Sequence, residues 1–333
     1  MANRDILAIG TSAGGIEALR HLARELPADL PAAVVVVIHL AGGFESSLDA
    51  ILTQAGPMPA RFASDGEPME RGHIYLAPAE THLLVDADHL SLGRGPRENH
   101  ARPAVDPLFR SAGLCCGPRA VGVVLTGTLG DGASGLQALK QCGGITVVQD
   151  PDEAAFRGMP EAALARTKPD HVVGLRAMPA LLEKLMNRPV GAPVPVPDTI
   201  KYEVEVARKG HSSMSDLDGL GRRSVFTCPD CHGVMWEIDD SDLVRYRCHT
   251  GHAFAADVLN VALDDSFKRG LASALRALEE RIALMRRLKG QADHDGHRRL
   301  AESWAHRLRD AENEAHVVRS SIRRIGELAA RAA

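Results

Sequence analysis

The sequence predicts an α/β protein built around a doubly wound, mostly parallel sheet, followed by a small cysteine- and histidine-rich module and a C-terminal helical hairpin. The first observation is that unbroken apolar runs alternate with helical stretches through residues 1–190, as in sheets covered by helices on both faces. The second is a set of four prolines within residues 188–200, which predicts an extended linker. The third is the spacing of apolar residues by three and four positions from Leu271 onward, which is typical of helices.

Composition limits the class of protein. Apolar residues make up 45% of the chain and aromatic residues only 4%, so a large aliphatic core is expected. No apolar run approaches the ~18 residues of a membrane span, and residues 1–4 lead directly into the first predicted strand without a signal peptide. These features predict a soluble, cytoplasmic protein with no membrane insertion.

The elements of the first domain follow one another along the chain. The predicted strands of the parallel sheet are Ile6–Ile9, Ala33–Ile38, Ala120–Leu125 and Ile145–Val148. The predicted helices include Ile16–Leu26, Ser134–Gln141 and Met159–Arg166. Turn residues also bound three short stretches that predict strands with an antiparallel hairpin at one edge of the sheet, namely Gly72–Leu76, His82–Val85 and His89–Leu92.

A glycine-flanked turn follows the first strand. Residues Gly10–Gly15 read Gly-Thr-Ser-Ala-Gly-Gly and place the hydroxyl of Ser12 between a predicted strand and a predicted helix. Backbone N–H groups at a helix start can face an anion, so this turn suits either a nucleophile or a phosphate. The chain lacks both the glycine spacing of the dinucleotide fingerprint here and a Gly-Lys-Ser/Thr sequence, which disfavours the phosphate.

Two further polar residues follow the carboxyl ends of predicted strands. His39 comes directly after Ala33–Ile38, and Asp131 lies in the loop after Ala120–Leu125, at the edge where function gathers in a doubly wound sheet. A serine hydroxyl needs an imidazole to accept its proton, and the imidazole needs a carboxylate to orient it. Ser12, His39 and Asp131 therefore have the composition of a catalytic triad. Taken singly, Ser12 and Asp131 could be helix N-caps, and His39 an ordinary hydrogen-bonded residue at a strand end.

Six ordered stretches carry a resemblance to a known family. They are Ile9–Leu19, Val36–Leu40, Gly72–Pro78, Arg102–Phe109, Val123–Gly127 with Gly130–Ala133, and Gly158–Ala163. Over residues 5 to about 187, the chain resembles the catalytic domain of CheB-type chemotaxis protein-glutamate methylesterases. Six motifs in the same order make a chance match implausible.

The resemblance implies a role for each residue of the triad. Ser12 matches the nucleophile, His39 the general base and Asp131 the orienting carboxylate. The family hydrolyses the γ-methyl ester of glutamate on chemoreceptor helices and can deamidate glutamine, so the implied partner is a methylated helical receptor protein. The implied chemistry is acyl transfer without a cofactor, with oxyanion donors among the N–H groups at the helix start after Ser12 and near Gly127–Thr128.

The sequence departs from the family pattern in three places. Ala13 replaces the threonine that usually follows the nucleophile, and Gly127–Gly132 (with Thr128 and Leu129) lacks the methionine of the usual Gly-Met-Gly-x-Asp-Gly. Leu40–Ala41 stands where Met-Pro usually follows the histidine. The triad is retained, whereas oxyanion contacts and substrate fit are expected to differ. Since the nucleophile lies so near residue 1, the usual N-terminal receiver domain is expected to be absent.

Two alternatives remain open for a pair of charged residues at the start of a predicted helix. Arg102 and Asp106 could shape the rim of the pocket. They could equally form a local ion pair or a helix cap.

The spacing of cysteine and histidine is the second strong signal. Cys228 and Cys231 form a C-x₂-C pair, and after sixteen intervening residues Cys248 and His252 form a C-x₃-H pair. Two such knuckles bring three thiolates and one imidazole to a tetrahedral Zn²⁺, and a module of ~30 residues has too small a core to fold without one. His252 is preferred over His249, because His249 directly follows Cys248. Four protein ligands and no open position predict a structural zinc.

The zinc-ribbon-like module also has predicted strands. Val234–Ile238 and Leu243–Tyr246 flank a turn at Asp239–Asp242. Few basic residues lie on this hairpin, so no nucleic-acid partner is expected.

The C-terminal segment is basic and helical. From Ser266 onward it holds 15 Lys and Arg against 9 Asp and Glu, in a chain whose net charge is −4. The two signs are interspersed, which favours solvated helix faces over an acidic partner. The apolar spacing breaks at Gly290–Gly296, so the segment is predicted to form a helical hairpin or a short coiled coil. These helices are the expected route to a protein partner or to self-association.

The predicted organisation has four parts. They are a catalytic domain at 1–187, a linker at 188–224, a zinc-ribbon-like module at 225–254 and a helical hairpin or coiled coil at 255–333. The main hypothesis is a protein-glutamate methylesterase. The alternative is a zinc-ribbon and helical scaffold or binding protein with a vestigial esterase domain.

Overall fold

The structure is a computed structural model that describes residues 3–39, 46–240 and 243–332. Two compact units are present, residues 1–259 and residues 260–333. The Leu40–Ala41 departure and the Ser241–Asp242 part of the predicted ribbon turn lie outside the described residues.

A seven-stranded parallel sheet forms the centre of the first unit. Its strands are β1 (Ile6–Thr11), β2 (Ala33–Ile38), β3 (Ala60–Phe62), β4 (Ile74–Leu76), β7 (Ala120–Val124), β8 (Ile145–Gln149) and β9 (His171–Val173). Their order in the sheet is β3-β4-β2-β1-β7-β8-β9. The chain therefore builds the sheet outward from β1 in both directions, with β2 on one side of it and β7 on the other.

Helices cover both faces of this sheet. The first core contains side chains of α1 (Gly15–Glu25), α2 (Leu48–Ala55) and α6 (Met178–Met186), and the second contains those of α3 (Val105–Cys116), α4 (Ala133–Gln141) and α5 (Gly158–Arg166). Along β1, Leu7 and Ile9 enter the first core while Ile6 and Ala8 enter the second, because successive side chains of a strand point to opposite faces. The predicted doubly wound fold is confirmed.

The predicted hairpin at the sheet edge is wrong in part. The segment Ile74–Leu76 is not antiparallel, because as β4 it lies parallel between β2 and β3 in the main sheet. Of the three predicted strands, the other two, β5 (His82–Asp86) and β6 (His89–Gly93), do pair antiparallel, and they form a separate two-stranded sheet. The unpredicted strands β3 and β9 have three residues each, too few for a periodic pattern.

The segment predicted as a linker contains two helices, α7 (Asp198–Lys209) and α8 (Met214–Leu220). Two buried side chains of α7 pack against the C-terminal end of α4, so this part of the chain adheres to the first domain. The division of the chain into domains at residues 187 and 224 stays a prediction.

A four-stranded antiparallel sheet follows α8, and we call it the ribbon (residues 221–255). Its strands, in sheet order, are β10 (Gly221–Thr227), β11 (Val234–Asp240), β12 (Leu243–Cys248) and β13 (Ala253–Ala255). The two predicted ribbon strands correspond to β11 and β12. The structure adds one strand on each side of them.

Two long helices complete the chain, α9 (Ala256–His294) and α10 (Arg298–Ala332). In the second unit they pack against each other through Ile282, Met285, Ala311 and Ala315. The predicted helical hairpin is confirmed. Across the described ranges, no helix is both long enough and apolar enough to span a membrane.

Candidate active site and candidate metal centre

Three loops meet at the carboxyl edge of the sheet, beside β1. Ser12 directly follows β1, His39 directly follows β2, and Asp131 lies between β7 and α4. Because Thr11 pairs in register with Ile38, Ser12 and His39 come next to each other on adjacent strands, and the N–H of His39 donates to the carbonyl of Thr11 at 3.3 Å. Ligands of open α/β sheets bind at such an edge, where the order of strands reverses.

His39 and Asp131 contact each other directly. The distance from Nε2 of His39 to Oδ2 of Asp131 is 2.8 Å, so Nδ1 is the ring nitrogen that the carboxylate does not engage. Burial alone would lower the pKa of His39. The hydrogen bond to Asp131 and the negative charges of Asp131 and Asp106 outweigh burial, and the pKa of His39 lies above its ordinary value.

Asp131 is 2% exposed and accepts hydrogen bonds on both oxygens. Besides facing His39, Oδ2 accepts from the N–H of Val105 at 2.6 Å. Oδ1 accepts from Nδ2 of Asn99 at 2.9 Å and from the N–H of Gly132 at 3.0 Å. Burial raises the pKa of Asp131, but His39, Val105 and Asn99 together hold it below its ordinary value. The carboxylate therefore stays charged inside the protein.

Asp131 caps α3, which begins beside Asp106, and Asp106 caps α4, which begins beside Asp131. The first two N–H groups of α3, those of Val105 and Asp106, donate to Asp131. The N–H groups of Gly132 and Gly135 at the start of α4 donate to Oδ1 of Asp106 at 3.0 and 2.6 Å. Helix starts leave such groups unpaired and favour negative charge. Asp131 thus caps α3 and shares the N–H of Gly132 with Asp106 at the start of α4. Burial and the charge of Asp131 raise the pKa of Asp106 well above its ordinary value.

Asn99 belongs to this site and was missed in the sequence. Its Nδ2 donates to Oδ2 of Asp106 and to Oδ1 of Asp131, both at 2.9 Å, and the residue is 8% exposed. The only available signal was its place shortly before the motif Arg102–Phe109. A single loop asparagine follows no spacing rule.

The turn that carries Ser12 is held by the loop after β7. The hydroxyl of Thr11 and the N–H of Ser12 donate to the carbonyl of Thr126 at 2.8 and 3.0 Å, and the hydroxyl of Thr126 donates to the carbonyl of Ala13 at 3.0 Å. Gly14, with φ of 74°, is the N-cap of α1, so the cap interpretation of Ser12 does not apply. Within the described part of the chain, no group forms a hydrogen bond with the Ser12 hydroxyl.

The predicted oxyanion donors differ in availability. The N–H of Gly127 already donates to the carbonyl of Phe156 at 3.0 Å. Among residues 3–39, 46–240 and 243–332, none accepts a hydrogen bond from the N–H groups of Ala13 and Gly14. A Cβ on Gly127 would lie only 2.9 Å from the Cβ of Ser12. Glycine therefore fits this position because the two loops approach each other closely.

Arg102 and Asp106, for which two alternatives were open, both make structural contacts. Arg102 donates to Glu80 at 3.0 Å and to the carbonyl of Gly95 at 2.9 Å. Asp106 is 3% exposed and caps α4 as described above.

Four residues of the ribbon bring their ligand atoms together. The sulfurs of Cys228, Cys231 and Cys248 and a ring nitrogen of His252 all lie within 4.8 Å of one another. A tetrahedral ion with Zn–S bonds of about 2.3 Å would hold its sulfurs about 3.8 Å apart. The separations of 3.6 Å between Cys231 and Cys248 and 3.5 Å between Cys248 and His252 fit that geometry. The group could hold a metal ion, and its members are the four residues that the spacing selects.

Thr250 is a second residue that the sequence did not indicate. Its hydroxyl lies 2.9 Å from the sulfur of Cys248, 3.1 Å from that of Cys231 and 3.1 Å from Nδ1 of His252. A hydroxyl in this position can hydrogen-bond thiolate ligands and orient them.

Known proteins resemble the first part of this chain. The family description "CheB methylesterase" matches residues 7–182. A protein-glutamate methylesterase/protein-glutamine glutaminase of Methanosarcina mazei is 36% identical over 194 residues, which cover 55% of this chain and 52% of the relative. One of Xanthomonas campestris pv. campestris is 43% identical over 174 residues, covering 51% of this chain and 48% of the relative. The chain spans about half the length of the curated relatives it matches.

A solved structure is similar as well. The crystal structure of the Thermotoga maritima CheB methylesterase catalytic domain has 31% sequence identity and a TM-score of 0.53, and the match covers 56% of this chain and 99% of that one. The family description alone covers more than half of the residues. On this sequence match, which spans β1 to α6 and includes all three loops of the candidate site, the chain belongs to the CheB methylesterase family.

Proposed function

We propose that the chain is a serine hydrolase that removes methyl esters from glutamate side chains of chemoreceptor-like proteins, with glutamine deamidation as a second reaction of the same site. The observation that carries the proposal is the 2.8 Å contact between His39 and Asp131, on a histidine that follows the strand beside Ser12. The names of the relatives, protein-glutamate methylesterase/protein-glutamine glutaminase, support the substrate class.

In the proposed reaction, Nδ1 of His39 accepts the proton of Ser12, since Nε2 is engaged by Asp131. Oγ of Ser12 attacks the carbonyl carbon of the ester, and the N–H groups of Ala13 and Gly14 stabilise the oxyanion. His39 then passes the proton to the departing methanol, which leaves an acyl-enzyme. Water, deprotonated by His39, cleaves the acyl-enzyme and restores Ser12. With glutamine, ammonia leaves in place of methanol.

The proposed macromolecular substrate is a methylated helical receptor. Apolar side chains beside the turn support a protein surface as substrate. Phe156 is 45% exposed, and its ring lies 3.3 Å from where a Cβ of Gly14 would be. For further partners or self-association, the proposed route is the pair of C-terminal helices.

We also propose that the four ligand residues of the ribbon hold a structural Zn²⁺. Three thiolates and one imidazole are a donor set of structural zinc sites, and four protein ligands leave no position for a substrate. The ion would link the Cys228–Cys231 segment, which precedes β11, to Cys248 and His252 at the end of β12 and just after it. It would supply folding energy to a small sheet and would not contact the substrate.

Ser12→Ala tests the enzymatic proposal. The full chain is incubated with a peptide that carries a glutamate γ-methyl ester, and methanol release is measured. A fluorophosphonate is used in parallel to label the nucleophile. We expect Ser12→Ala to lower the rate by roughly 10⁴-fold or more and to abolish labelling. Ser320→Ala, on an exposed serine of α10, is the matched control and should behave as the wild type.

The outcomes separate the hypotheses. Labelling at Ser12 without methanol release from a glutamyl ester would keep the serine hydrolase and reject the proposed substrate. An absence of both labelling and release would favour the alternative, a zinc-ribbon and helical scaffold with a vestigial esterase domain.

A further inference from the structure

The loop before α3, residues 97–100, belongs to both the candidate active site and the ribbon. Glu98 forms a parallel bridge with Ala253 of β13. The carbonyl of Arg97 accepts from the N–H of Ala253 at 3.4 Å, and the N–H of Asn99 donates to the carbonyl of Ala253 at 2.8 Å. The loop thus adds to the edge of the ribbon sheet as a short additional strand.

The side chain of Asn99 continues this pairing. A parallel ladder would next bring the N–H of Ala255 to the backbone carbonyl of residue 99. Instead, Oδ1 of Asn99 accepts from Ala255 at 3.0 Å, while Nδ2 donates to Asp131 and Asp106. A flipped amide would set donor against donor and acceptor against acceptor, so the orientation of this amide is fixed. The residue has φ of 51°, which asparagine adopts more readily than most residues.

His100, the next residue, attaches the loop to the segment of the ribbon between Cys228 and Cys231. Nδ1 of His100 lies 3.3 Å from a carboxylate oxygen of Asp230, which stands between Cys228 and Cys231. The imidazole also meets the ring of Phe254 edge-on, with centroids 5.1 Å apart. The position of the loop therefore depends on the same knuckle that holds two of the proposed metal ligands.

A buried charge network fixes the loop from the other side. Glu98 pairs with Arg110 of α3 and, at 3.2 Å, with Arg247 of β12. Arg247 lies 3.0 Å from Glu203 of α7, which also receives Arg245 through two bonds of 2.7 and 3.0 Å. All five side chains are at most 6% exposed. Breaking such a buried pair is costly, so the network holds one arrangement of α3, α7 and the ribbon.

We propose that Asn99 is a positioning residue for Asp131, and that the ribbon sets the orientation of Asn99, so that a metal-loaded ribbon supports the hydrolase site without touching the reacting atoms. The inference rests on the proposed roles of Ser12, His39 and Asp131. Asn99 occupies Oδ1 of Asp131, which leaves Oδ2 toward His39. Ala255 keeps the amide from turning away.

Asn99→Asp is the sharpest variant. It keeps an oxygen for the N–H of Ala255 and tolerates positive φ, but it replaces the two N–H donors with an oxygen facing Asp131 and Asp106. We expect kcat for the ester to fall roughly tenfold to hundredfold with little change in KM, since hydrogen bonds to charged groups are lost. The acid limb of the pH profile should move to higher pH, because a third carboxyl group makes the cluster take up a proton more readily.

A second measurement detects the effect of Asn99→Asp on His39 without requiring ester hydrolysis. The titration of His39, followed by NMR of its Cε1 proton, should shift upward in Asn99→Asp. The carboxylates facing His39 are those of Asp131 and Asp106. The control is Asn187→Asp, the same chemical change on an exposed residue after α6, which should leave both midpoints in place. An unchanged titration and pH profile in Asn99→Asp would overturn the inference. A wild-type chain that neither hydrolyses the ester nor reacts with the fluorophosphonate would count against the proposed function. The titration of His39 would still test the positioning role of Asn99.

The role of the ribbon is tested by removing the metal from the full chain with a chelator. In the wild type, removal should speed amide hydrogen exchange at residues 97–100 and shift the His39 midpoint. In Asn99→Ala, removal should add little further shift, because coupled effects are not additive. Equal shifts in both chains would reject a route through Asn99. No effect of chelation on either measurement would reject the role of the ribbon.

Discussion

Single residues in this site differ in pKa because of the groups that face them. Asp131 and Asp106 are both buried. The hydrogen bond and charge of His39 lower the pKa of Asp131, whereas burial and the charge of Asp131 raise the pKa of Asp106. One carboxylate therefore remains available to hold an imidazolium. The second accepts the first N–H groups of α4.

The pH dependence of the proposed reaction follows from His39. The base must be neutral, and its pKa lies above the ordinary value, so activity should fall as pH decreases through a midpoint above about 6.5. We expect this limb in kcat/KM for a glutamyl methyl ester measured from about pH 5 to pH 9. Asp131→Asn removes the charge and the acceptor, and should lower both the midpoint and the rate. A wild-type midpoint well below this value would contradict the proposed environment of His39.

The residues of the candidate triad could be named from the sequence because each follows a recognisable apolar strand. Asn99 could not, because its partners Asp106, Asp131 and Ala255 lie 7, 32 and 156 positions away. Only folding brings those groups together. Likewise, the local pattern suggested that Asp131 caps α4, whereas its hydrogen bonds reach the start of α3.

At the scale of elements, α7 is the helix whose structural role could not be predicted from the sequence. Its sequence follows a proline-rich stretch, and its buried Glu203 looks like an ordinary charged surface residue. In the structure, Glu203 faces Arg110, Arg245 and Arg247, whose positive charges outweigh burial and lower the pKa of Glu203. The three-residue strands β3, β9 and β13 were equally hidden, because pairing with neighbours rather than local periodicity defines them.

Glu203→Gln should destabilise the first unit strongly. The change removes the charge of the carboxylate that pairs with the buried guanidiniums of Arg245 and Arg247, and loss of one partner of a buried pair costs about 3–5 kcal/mol. Glu205→Gln, two positions along the same helix, removes a surface pair with Lys209 and should cost about 0–1 kcal/mol. The two variants are compared by urea unfolding. Equal midpoints would show that the buried network contributes no more than a surface pair.

At the scale of the whole molecule, the fold class was predictable because the main sheet, the cysteine pairs and the long helices each have a repeating or spaced pattern. Packing between these parts was not predictable, since the contacts of α7 and of residues 97–100 with the ribbon depend on residues far apart in sequence. The predicted linker therefore proved to be partly helical and packed.

Metal removal should affect the two units unequally. We expect about one zinc per chain by elemental analysis, and a lower thermal midpoint for the ribbon after chelation, because binding energy at such a site is also folding energy. Far-UV circular dichroism should retain the strong helical signal of α9 and α10, whose mutual packing involves no proposed ligand. A chain without metal, or an unfolding curve that chelation leaves unchanged, would contradict the structural zinc.

The bridge between Glu98 and Ala253 has an evolutionary consequence. A ribbon attached by a free tether could be exchanged for another domain by recombination while the hydrolase remained intact. Here the third residue of β13, Ala255, donates a hydrogen bond to the amide of Asn99, which contacts the proposed acid Asp131. Residues 97–100 and 245–255 should therefore be inherited together and vary in step, and a grafted ribbon from an unrelated protein should need compensating changes in the loop before α3.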